Sequence, residues 1–303
     1  MRFDGLDLNL LVALDILLTE QNITKASEKL FLSQPATSAA LSRLRDYFED
    51  ELLIQVGRSM KRTPMGEHLA IPVKNLLIQT RTILNNKNKF DPLTAERTFR
   101  IMATDYTGTI LLPHLNQQLF QKAPFCSIEQ LNATADAEKQ IHKGTVDILL
   151  LPKMNLLDEH PSEDVFHDEF VCVMWAKNPL SAKEFTLNDY KNAKHVVTRF
   201  GNYNTPMFDH WLVRNLDFER KIGYTAVNFT NVPFYLIGTP YIATMHKKLA
   251  LQCAEYLPLH ICNLPWETPK ITMSMQWNNY QANDSGLIWF RQLICETANM
   301  IFK

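Results

Sequence analysis

Residues 30–48 read LFLSQPATSAALSRLRDYF, and this stretch decides the fold of the N-terminal region. Ser33 predicts the start of a helix, because its hydroxyl can accept a backbone N–H left free in the first turn. Pro35 falls in that first turn, where its missing N–H costs no hydrogen bond. Apolar residues then recur at helical spacing. The buried positions that this spacing predicts are Ala36, Ala40, Leu41 and Leu44.

A second helix is predicted just upstream, in NITKASEKLF (22–31). Thr24 is its predicted cap, and Ala26, Leu30 and Phe31 are its predicted buried positions. Only two residues separate the two helices, so they must cross steeply. This arrangement is a helix-turn-helix, whose second helix enters the DNA major groove. The alternative is that the Ser- and Ala-rich run marks tight helix packing inside the protein.

The flanking segments favour DNA binding. LDLNLLVALDILLTEQ (6–21) predicts a helix that covers the pair with Leu6, Leu10, Leu11, Leu14, Leu17 and Leu18. DELLIQVGRSMKRTPMG (50–66) predicts a two-stranded wing, with strands at 52–56 and 60–63 and basic residues near its tip. In the major groove Gln34 can pair with adenine, and arginines reach phosphate or guanine. The predicted DNA contacts are Ser33, Gln34, Pro35, Thr37, Ser38, Ser42, Arg43, Arg45, Arg58, Lys61 and Arg62.

The blocks DLNLL, NITKASEKL, LSQPATSAALSRLR and DELLIQVGRSMKRTPMG together resemble the N-terminal domain of LysR-type transcriptional regulators. The opening MRFDGLDLNLLVALD is similar to the subgroup of nodulation regulators and regulators of naphthalene and nitroaromatic breakdown. Many members of the family carry an acidic residue where this chain has Arg45. The resemblance implies a homodimer or homotetramer bound to an interrupted palindrome in a promoter, and it leaves a contact with RNA polymerase open.

Bulk properties agree with a globular regulator of two or three domains. The chain has 303 residues, 46% hydrophobic and 21% charged, with a net charge of −1. It has no apolar run of membrane-spanning length and no export signal, so we expect no membrane association and a cytoplasmic location. The five cysteines are scattered and predict neither a zinc site nor a disulfide framework. We therefore expect no metal and no cofactor.

GEHLAIPVKNLLIQTRTILNNKNKF (66–90) predicts a long helix with Pro72 near its start or at a kink. Its predicted apolar positions are Leu69, Val73, Leu76, Leu77, Thr80 and Leu84. This spacing suits pairing with a second helix, which the family resemblance also implies. The alternative is a helix packed only on its own domain. The predicted domains are therefore 1–65 for DNA binding, 66–90 for the linker and 91–303 for effector binding.

From residue 98 onward predicted strands alternate with helices, which indicates an α/β domain. A helix is predicted from YTGTILLPHLNQQLFQKAP (106–124), and later elements from TPMFDHWLVRNL, TAVNFT and NVPFYLIG. The resemblance extends over RTFRIMATD, KGTVDILLLP and FVCVMWAKNPL. It implies a sensor of two subdomains like those of periplasmic binding proteins, 91–161 with 268–303 and 162–267, with the effector in the cleft between them.

The effector residues are predicted from strand ends, since ligands of open α/β sheets bind beyond the carboxyl ends of strands. They are Thr104, Asp105, Asp168, Arg199, Phe200, Asn202, Phe229, Asn231, His246 and Lys247. Each can instead be loop surface. Basic groups and aromatic walls favour a small organic acid, and Asp168, taken to begin the first strand of the second subdomain, favours a ligand that also carries a hydroxyl or amine.

No catalytic constellation is found. Glycine-rich phosphate loops and nucleophile or metalloprotease motifs are absent from the sequence, and Asp209 with His210 lies in an amphipathic segment. The chain is therefore identified as a LysR-type regulator, with fold class α/β: a winged helix-turn-helix, a long linker helix and a two-subdomain sensor. The alternative is a small-molecule binding protein or enzyme with an incidental helical N-terminus.

Overall fold

The structure is a computed structural model that describes residues 2–3, 5–57, 59–85, 90–133, 137–198, 212 and 218–302. The chain divides into two compact units, one of residues 1–89 with 142–145 and one of residues 90–141 with 146–303. No helix within the described residues is both long and apolar enough to cross a membrane.

In its described residues the N-terminal unit has four helices and a two-stranded wing. Its elements are β1 (Arg2–Phe3), β2 (Leu6–Asp7), α1 (Asn9–Glu20), α2 (Ile23–Leu30), α3 (Gln34–Phe48), β3 (Leu53–Val56), β4 (Ser59–Arg62) and α4 (Pro64–Asn85). As predicted, Ser33 caps α3, with its hydroxyl accepting the N–H of Ala36 at 3.3 Å. The predicted cap of α2 is wrong: Asn22 accepts the N–H of Lys25 at 3.0 Å, and Thr24 lies inside the helix.

The core of this unit is the leucine face of α1, as predicted. All six of the predicted leucines are buried, and they pack with Ala26, Leu41 and Leu44. In α3 the predicted positions Leu41 and Leu44 are buried and Ala40 is partly buried, but in its first turn Thr37 is buried and the predicted Ala36 is exposed. Phe31 is also not a core residue. It ends α2 in the left-handed conformation, with φ of 54°, and its side chain is 95% exposed.

The wing is an antiparallel pair in which Leu53 lies opposite Arg62 and Val56 opposite Ser59. Gly57 begins its turn at a positive φ of 62°, which glycine adopts without a steric penalty. Arg58 lies outside the described residues. The two strands agree with the predicted wing to within a residue at each end.

Helix α4 continues through Pro72, and its two sides lie in different surroundings. Val73 is buried against the leucine core, and Leu69 and Leu77 pack beside it. Leu76 and Ile83 face away and are 45% and 70% exposed. The alternative reading of this helix, packing on its own domain, therefore holds for one side of it only.

In the part of the chain that the structure describes, the second unit contains two five-stranded sheets. Its strands are β5 (Arg97–Ala103), β6 (Cys126–Asn132), β7 (Ile148–Pro152), β8 (Ser162–Asp168), β9 (Phe170–Trp175), β10 (Lys194–Thr198), β11 (Lys221–Ala226), β12 (Ile242–His246), β13 (Leu259–Cys262) and β14 (Ile271–Gln276). Its helices are α5 (Asp105–Ile110), α6 (Leu112–Lys122), α7 (Ala137–His142), α8 (Leu187–Asn192), α9 (Lys247–Ala254) and α10 (Ser285–Ile301).

The first sheet has the order β6-β5-β7-β14-β8, and the second has the order β11-β10-β12-β9-β13. Strands β5, β6 and β7 are parallel, whereas β14 runs antiparallel to β7 and β8. In the second sheet β10 is parallel to β11 and β12, and β9 is antiparallel to β12 and β13. The chain crosses between the sheets twice, from Asp168 to Phe170 and from Cys262 to Ile271.

The predicted subdomain boundary after residue 161 is wrong, because β8 belongs to the first sheet and pairs with β14. Asp168 consequently ends a strand of the first subdomain and does not begin one of the second. The sequence prediction missed β8 because the two apolar residues of SEDVFHD, Val165 and Phe166, are adjacent and do not alternate with polar ones. It also missed β13, α8 and α9.

Three further predictions differ from the structure. The helix predicted over 106–124 breaks at Leu111, since Pro113 lies in the first turn of α6 and its ring disfavours a continuous helix. NVPFYLIG forms only a 3-10 turn over Val232–Tyr235, and the strand predicted in TAVNFT begins earlier, at Lys221. The helix predicted in TPMFDHWLVRNL, with Asp209 and His210, lies almost entirely outside the described residues.

Candidate DNA interface and effector cleft

The N-terminal half of α3 presents a continuous exposed face. Its exposed residues are Ser33, Gln34, Pro35, Ala36, Ser38, Ala39, Ser42 and Arg43. The Gln34 amide donates to the Thr24 hydroxyl at 2.9 Å, so its orientation is fixed by the first helix of the pair. Short side chains on this face allow the helix backbone to approach a flat partner closely, which is what a major groove requires.

Thr37 does not belong to this face. It is fully buried, and its hydroxyl donates to the Ser33 carbonyl at 3.1 Å. The predicted base contact by Thr37 is therefore corrected to a packing role between α3 and the leucine core.

Arg45 is tied to the base of the wing. Its Nε donates to the Glu51 carbonyl at 2.8 Å and its Nη2 to the Leu53 carbonyl at 2.7 Å. The Glu51 carboxylate lies 3.0 Å from the same guanidinium. These contacts make Arg45 a structural link between α3 and β3, and its predicted DNA contact stays a prediction.

Arg62 is held in the same manner. Its Nε donates to the Leu18 carbonyl at 2.7 Å and its Nη1 to Glu67 at 2.9 Å, and its side chain is only 16% exposed. Leu18 lies in the last turn of α1, whose carbonyls have no partner within the helix. The predicted phosphate contact is therefore corrected to a cap on the end of α1.

Two basic residues stay available at this surface. Arg43 is exposed, and its guanidinium lies 3.5 Å from the Asp7 carboxylate. The hydrogen bond from the Asn9 N–H and, to a smaller extent, the Arg43 charge lower the pKa of Asp7. Lys61 is exposed on the wing and makes no hydrogen bond or ion pair with the residues that the structure describes. The predictions for Ser33, Gln34, Pro35, Ser38, Ser42, Arg43 and Lys61 are compatible with this geometry and stay predictions.

In the sensor, Thr104 and Asp105 start helix α5 where the first sheet meets the second. The Thr104 hydroxyl accepts the N–H of Thr107 at 3.2 Å. Asp105 accepts both the N–H and the hydroxyl of Thr230, at 2.8 and 3.0 Å. A carboxylate of the first subdomain therefore bridges directly to the loop after β11 in the second.

Asp168 is buried and already has three donors. The Tyr106 hydroxyl lies 2.5 Å from its carboxylate, and the N–H groups of Glu169 and Lys248 donate at 2.8 and 3.3 Å. Burial raises the pKa of the Asp168 carboxyl. Burial and the neighbouring Asp168 charge both raise the pKa of the Tyr106 hydroxyl. The argument that Asp168 needs a ligand hydroxyl or amine is therefore wrong, since the protein itself supplies the donors.

His246 ends β12 in an aromatic enclosure. Its ring stacks on Tyr106 with centroids 3.9 Å apart, and Phe229 meets it edge-on at 5.0 Å. Its Nδ1 is buried and has no hydrogen-bond partner among the described groups. Burial lowers the pKa of His246 to about 3, so the ring is neutral near pH 7.

The other predicted effector residues are less central. Asn231 is exposed, and the Lys247 ammonium lies 3.0 Å from the Glu169 carboxylate. Arg199, Phe200 and Asn202 lie outside the described residues. Sequence reasoning missed Tyr106 and Thr230, which link the predicted residues to one another, because only the fold brings residues 106, 168 and 246 together. The cluster offers a metal ion only an acid already satisfied by hydrogen bonds and a histidine enclosed by rings, which favours an organic ligand.

A winged helix-turn-helix joined to a two-sheet sensor defines a class of DNA-binding regulators, and both parts of the chain match protein-family models of that class. Residues 8–67 match the bacterial regulatory helix-turn-helix protein of the lysR family, and residues 94–299 match the LysR substrate binding domain. The chain belongs to the LysR family. It is a DNA-binding transcriptional regulator with an effector-binding domain, not an enzyme.

Curated relatives place it near the nodulation regulators. Nodulation protein D 1 of Rhizobium leguminosarum bv. phaseoli is 36% identical over 299 residues, covering 99% of this chain and 95% of that protein. Nodulation protein D 1 of Sinorhizobium fredii is 35% identical over 302 residues, with coverage of 99% and 94%. The predicted resemblance to the nodulation subgroup is confirmed.

Solved structures share the fold. A probable transcriptional regulator from Pseudomonas aeruginosa is 29% identical, with a TM-score of 0.65 over 96% of this chain and 97% of that one. Full-length OxyR from Pseudomonas aeruginosa has a TM-score of 0.76 at 17% identity, covering 98% and 95%. CbnR complexed with its target DNA has a TM-score of 0.54 at 12% identity, covering 97% and 100%.

Proposed function

We propose that this regulator binds an interrupted palindrome in promoter DNA, with the N-terminal half of α3 in the major groove. The exposed, small and polar face from Ser33 to Arg43 is the observation that carries the proposal. Gln34 reads a base, and Ser38 and Ser42 contact base edges or phosphates. Because its target is promoter DNA, we place the protein in the bacterial cytoplasm, where a promoter-bound regulator can also contact RNA polymerase.

The phosphate contacts come from a smaller set of cations than the sequence predicts. Arg43 borders the reading face and Lys61 lies on the wing, whereas Arg45 and Arg62 hold the scaffold together. Arg58, which follows Gly57 in the sequence, is the third cation of the proposal. With so few charges the affinity depends more on groove fit and less on salt than a strongly basic protein's would.

The active form in this proposal is a homodimer or homotetramer. A palindrome requires two reading helices related by two-fold symmetry, and an exposed apolar side of α4, with Leu76 and Ile83, suits a pairing helix. Pairing would bury this side without disturbing Val73 and Leu77, which pack on the leucine core.

The effector in this proposal is a small organic acid bound between the two sensor subdomains. Thr104 and the aromatic side chains around His246 supply a mixture of one hydroxyl and several apolar walls, which suits a small molecule. Neutral His246 adds no charge, so Arg199 and Lys247 are the proposed partners of the acid group. Effector binding then shifts the balance between the Asp105–Thr230 bridge and an open cleft.

An electrophoretic mobility shift tests the DNA-binding proposal. Full-length protein is titrated against the DNA upstream of its own coding region, with unrelated DNA in excess. We expect a specific complex that Ser38→Glu abolishes, because it places a negative charge on the reading face. Gln117→Glu, an exposed change in the sensor helix α6, is the matched control and should bind like the parent. Equal binding by Ser38→Glu would remove α3 from the interface.

The effector site is tested by the melting temperature of full-length protein with a panel of aromatic carboxylates. We expect the acid that raises the melting temperature to fail with Thr104→Val and to succeed with Thr104→Ser, since serine keeps the hydroxyl and the cap of α5. Operator binding should be unchanged in both variants. An equal ligand-induced shift in Thr104→Val would place the effector elsewhere.

A further inference from the structure

Two of the five cysteines face each other across neighbouring strands. Strand β13 pairs antiparallel with β9, and Cys262 lies directly opposite Cys172. Side chains of directly opposed residues project from the same face of a sheet. Cys172 is fully buried in the second sheet, whereas Cys262 is only partly buried on the edge strand.

The pairing type permits a bond between them. The Ala176 N–H donates to the Pro258 carbonyl at 2.8 Å, so the opposed pair 176 and 258 is of the hydrogen-bonded kind. Hydrogen-bonded and non-hydrogen-bonded pairs alternate along an antiparallel ladder. The cysteine pair lies four residues from the pair 176 and 258, so it is also of the hydrogen-bonded kind. Its Cα atoms are about 5.5 Å apart in regular geometry, within the range of about 4.4–6.8 Å for disulfides.

The same geometry makes the bond reducible. Opposed Cβ atoms lie about 4.5–5.5 Å apart, whereas a relaxed disulfide holds them at about 3.8 Å. Closing this gap strains the pair of strands, and strained disulfides are reduced more readily than relaxed ones.

The two thiols are also unequal. A hydrogen bond from the Cys172 thiol lowers the pKa of Cys262, while burial and the same contact raise the pKa of Cys172. Cys262 is therefore the more accessible and more ionised sulfur, suited to attack, and Cys172 is placed to resolve the product.

We propose that Cys172 and Cys262 form a reversible disulfide that makes the sensor responsive to small disulfides such as oxidised glutathione. The Cys262 thiolate attacks one sulfur of the small disulfide, forms a mixed disulfide and releases one thiolate. Cys172 then gives up its proton and attacks the Cys262 sulfur, forming the protein disulfide and releasing the second thiolate. The two protein thiols are oxidised and the small disulfide is reduced to two thiols.

The position of the pair gives the bond a structural consequence. Cys172 lies on the strand that follows the crossing at Asp168, and Cys262 is the last residue of β13 before the crossing to Ile271. A covalent link between β9 and β13 therefore fixes the two strands from which the chain enters and leaves the second subdomain. The link would stiffen both crossings, and this inference does not depend on the proposed operator or effector.

The other cysteines have different surroundings in the described part of the chain. The Cys126 thiol donates to the Ala95 carbonyl at 3.3 Å, and the Cys295 thiol donates to Glu163 at 3.6 Å. Cys253 lies on helix α9. A variant with serine at positions 126, 253 and 295 therefore keeps the proposed pair and removes competing thiols.

The test uses this triple variant of the full-length protein, reduced and then exposed to oxidised glutathione. Intact-mass measurement should show the loss of two hydrogen atoms without bound glutathione, and peptide mapping should join the peptides of Cys172 and Cys262. Dithiothreitol should reverse both results. A stable glutathione adduct at Cys262, or no oxidation while the protein stays folded, would overturn the proposal.

Cys262→Ser in the same background supplies the control, because serine replaces a partly buried thiol with little change in volume. This variant should gain neither the disulfide nor an internal mass loss. Amide hydrogen exchange in residues 259–271 should slow on oxidation of the triple variant and stay unchanged in the control. A disulfide without slower exchange would overturn the inferred stiffening of the crossings.

Discussion

Single side chains of the N-terminal unit divide into those that hold the scaffold and those that face outward. Arg45 and Arg62 each donate to backbone carbonyls near helix or strand ends, and they join α3, α1 and the wing. Lys61, next to Arg62 in the chain, is exposed. Sequence alone gives adjacent cations the same role, whereas the structure separates them because alternate residues of a strand face opposite sides.

Arg62→Ala and Lys61→Ala should therefore differ in kind. Loss of the Arg62 guanidinium leaves the Leu18 carbonyl without its donor, which should cost about 1–3 kcal/mol of unfolding free energy. Lys61→Ala should leave stability unchanged, weaken DNA binding and reduce the salt slope by about 1. Chemical denaturation and salt-dependent binding measure the two effects. The opposite assignment, with Arg62→Ala stable and altered only in salt slope, would contradict the division.

His246 predicts a pH dependence of stability. Burial lowers its pKa from 6.5 in the unfolded chain to about 3 in the folded protein. The contribution of His246 to the unfolding free energy is therefore complete above pH 6.5 and is lost as the pH falls toward 3. His246→Phe keeps the ring stack on Tyr106 and removes this proton uptake. Between about pH 7.5 and 5.5 the parent should lose about 1.4 kcal/mol more unfolding free energy than the variant. His195, with its pKa also lowered to about 3, is common to both proteins. Parallel pH profiles would show that His246 is not held neutral.

At the scale of elements, sequence patterns predicted most of the structure where local chemistry decides it. The cap at Ser33, the leucine face of α1 and the wing follow from turn, cap and periodicity rules. The error in the first turn of α3, Ala36 in place of Thr37, arose because threonine and alanine fit either side of a helix, and only packing against α1 selects Thr37. The same limit applies to α4, whose apolar residues are spread around the helix and face two different surroundings.

Replacement of Leu76 and Ile83 with Asp tests the outward side of α4. The two residues are seven positions apart, about two helical turns, and both are exposed, so the change should cost little stability within one chain. It should break the proposed helix pair, because charge would be buried in an apolar interface. Light scattering should show loss of the linker contact, and operator affinity should fall with it. Arg81→Asp, at an exposed residue on the opposite side of the helix, is the control. If the double Asp variant kept the assembly of the parent, the side of α4 with Leu76 and Ile83 would not belong to the interface.

At the scale of the whole molecule, the fold class was predictable and the division of the sensor was not. Alternating strands and helices indicated an α/β domain, but β8 has only two apolar residues, which are adjacent, and so lacks the alternation that predicts a strand. The cluster of Tyr106, Asp168 and His246 depends on contacts between residues far apart in sequence, which no local rule supplies. Net charge was equally uninformative: it is −1 for the chain, whereas the proposed DNA interface is a local surface of α3 and the wing.

The most direct test of the central claim, that the N-terminal half of α3 reads base sequence, is selection of bound DNA from a random library by full-length parent and Gln34→Ala. We expect Gln34→Ala to lose preference at one base position in each half-site and to bind the parental site about 1–3 kcal/mol more weakly. Gln117→Ala, the same substitution in the sensor, should select the parental site. An unchanged base preference in Gln34→Ala, with folding and assembly intact, would contradict the account.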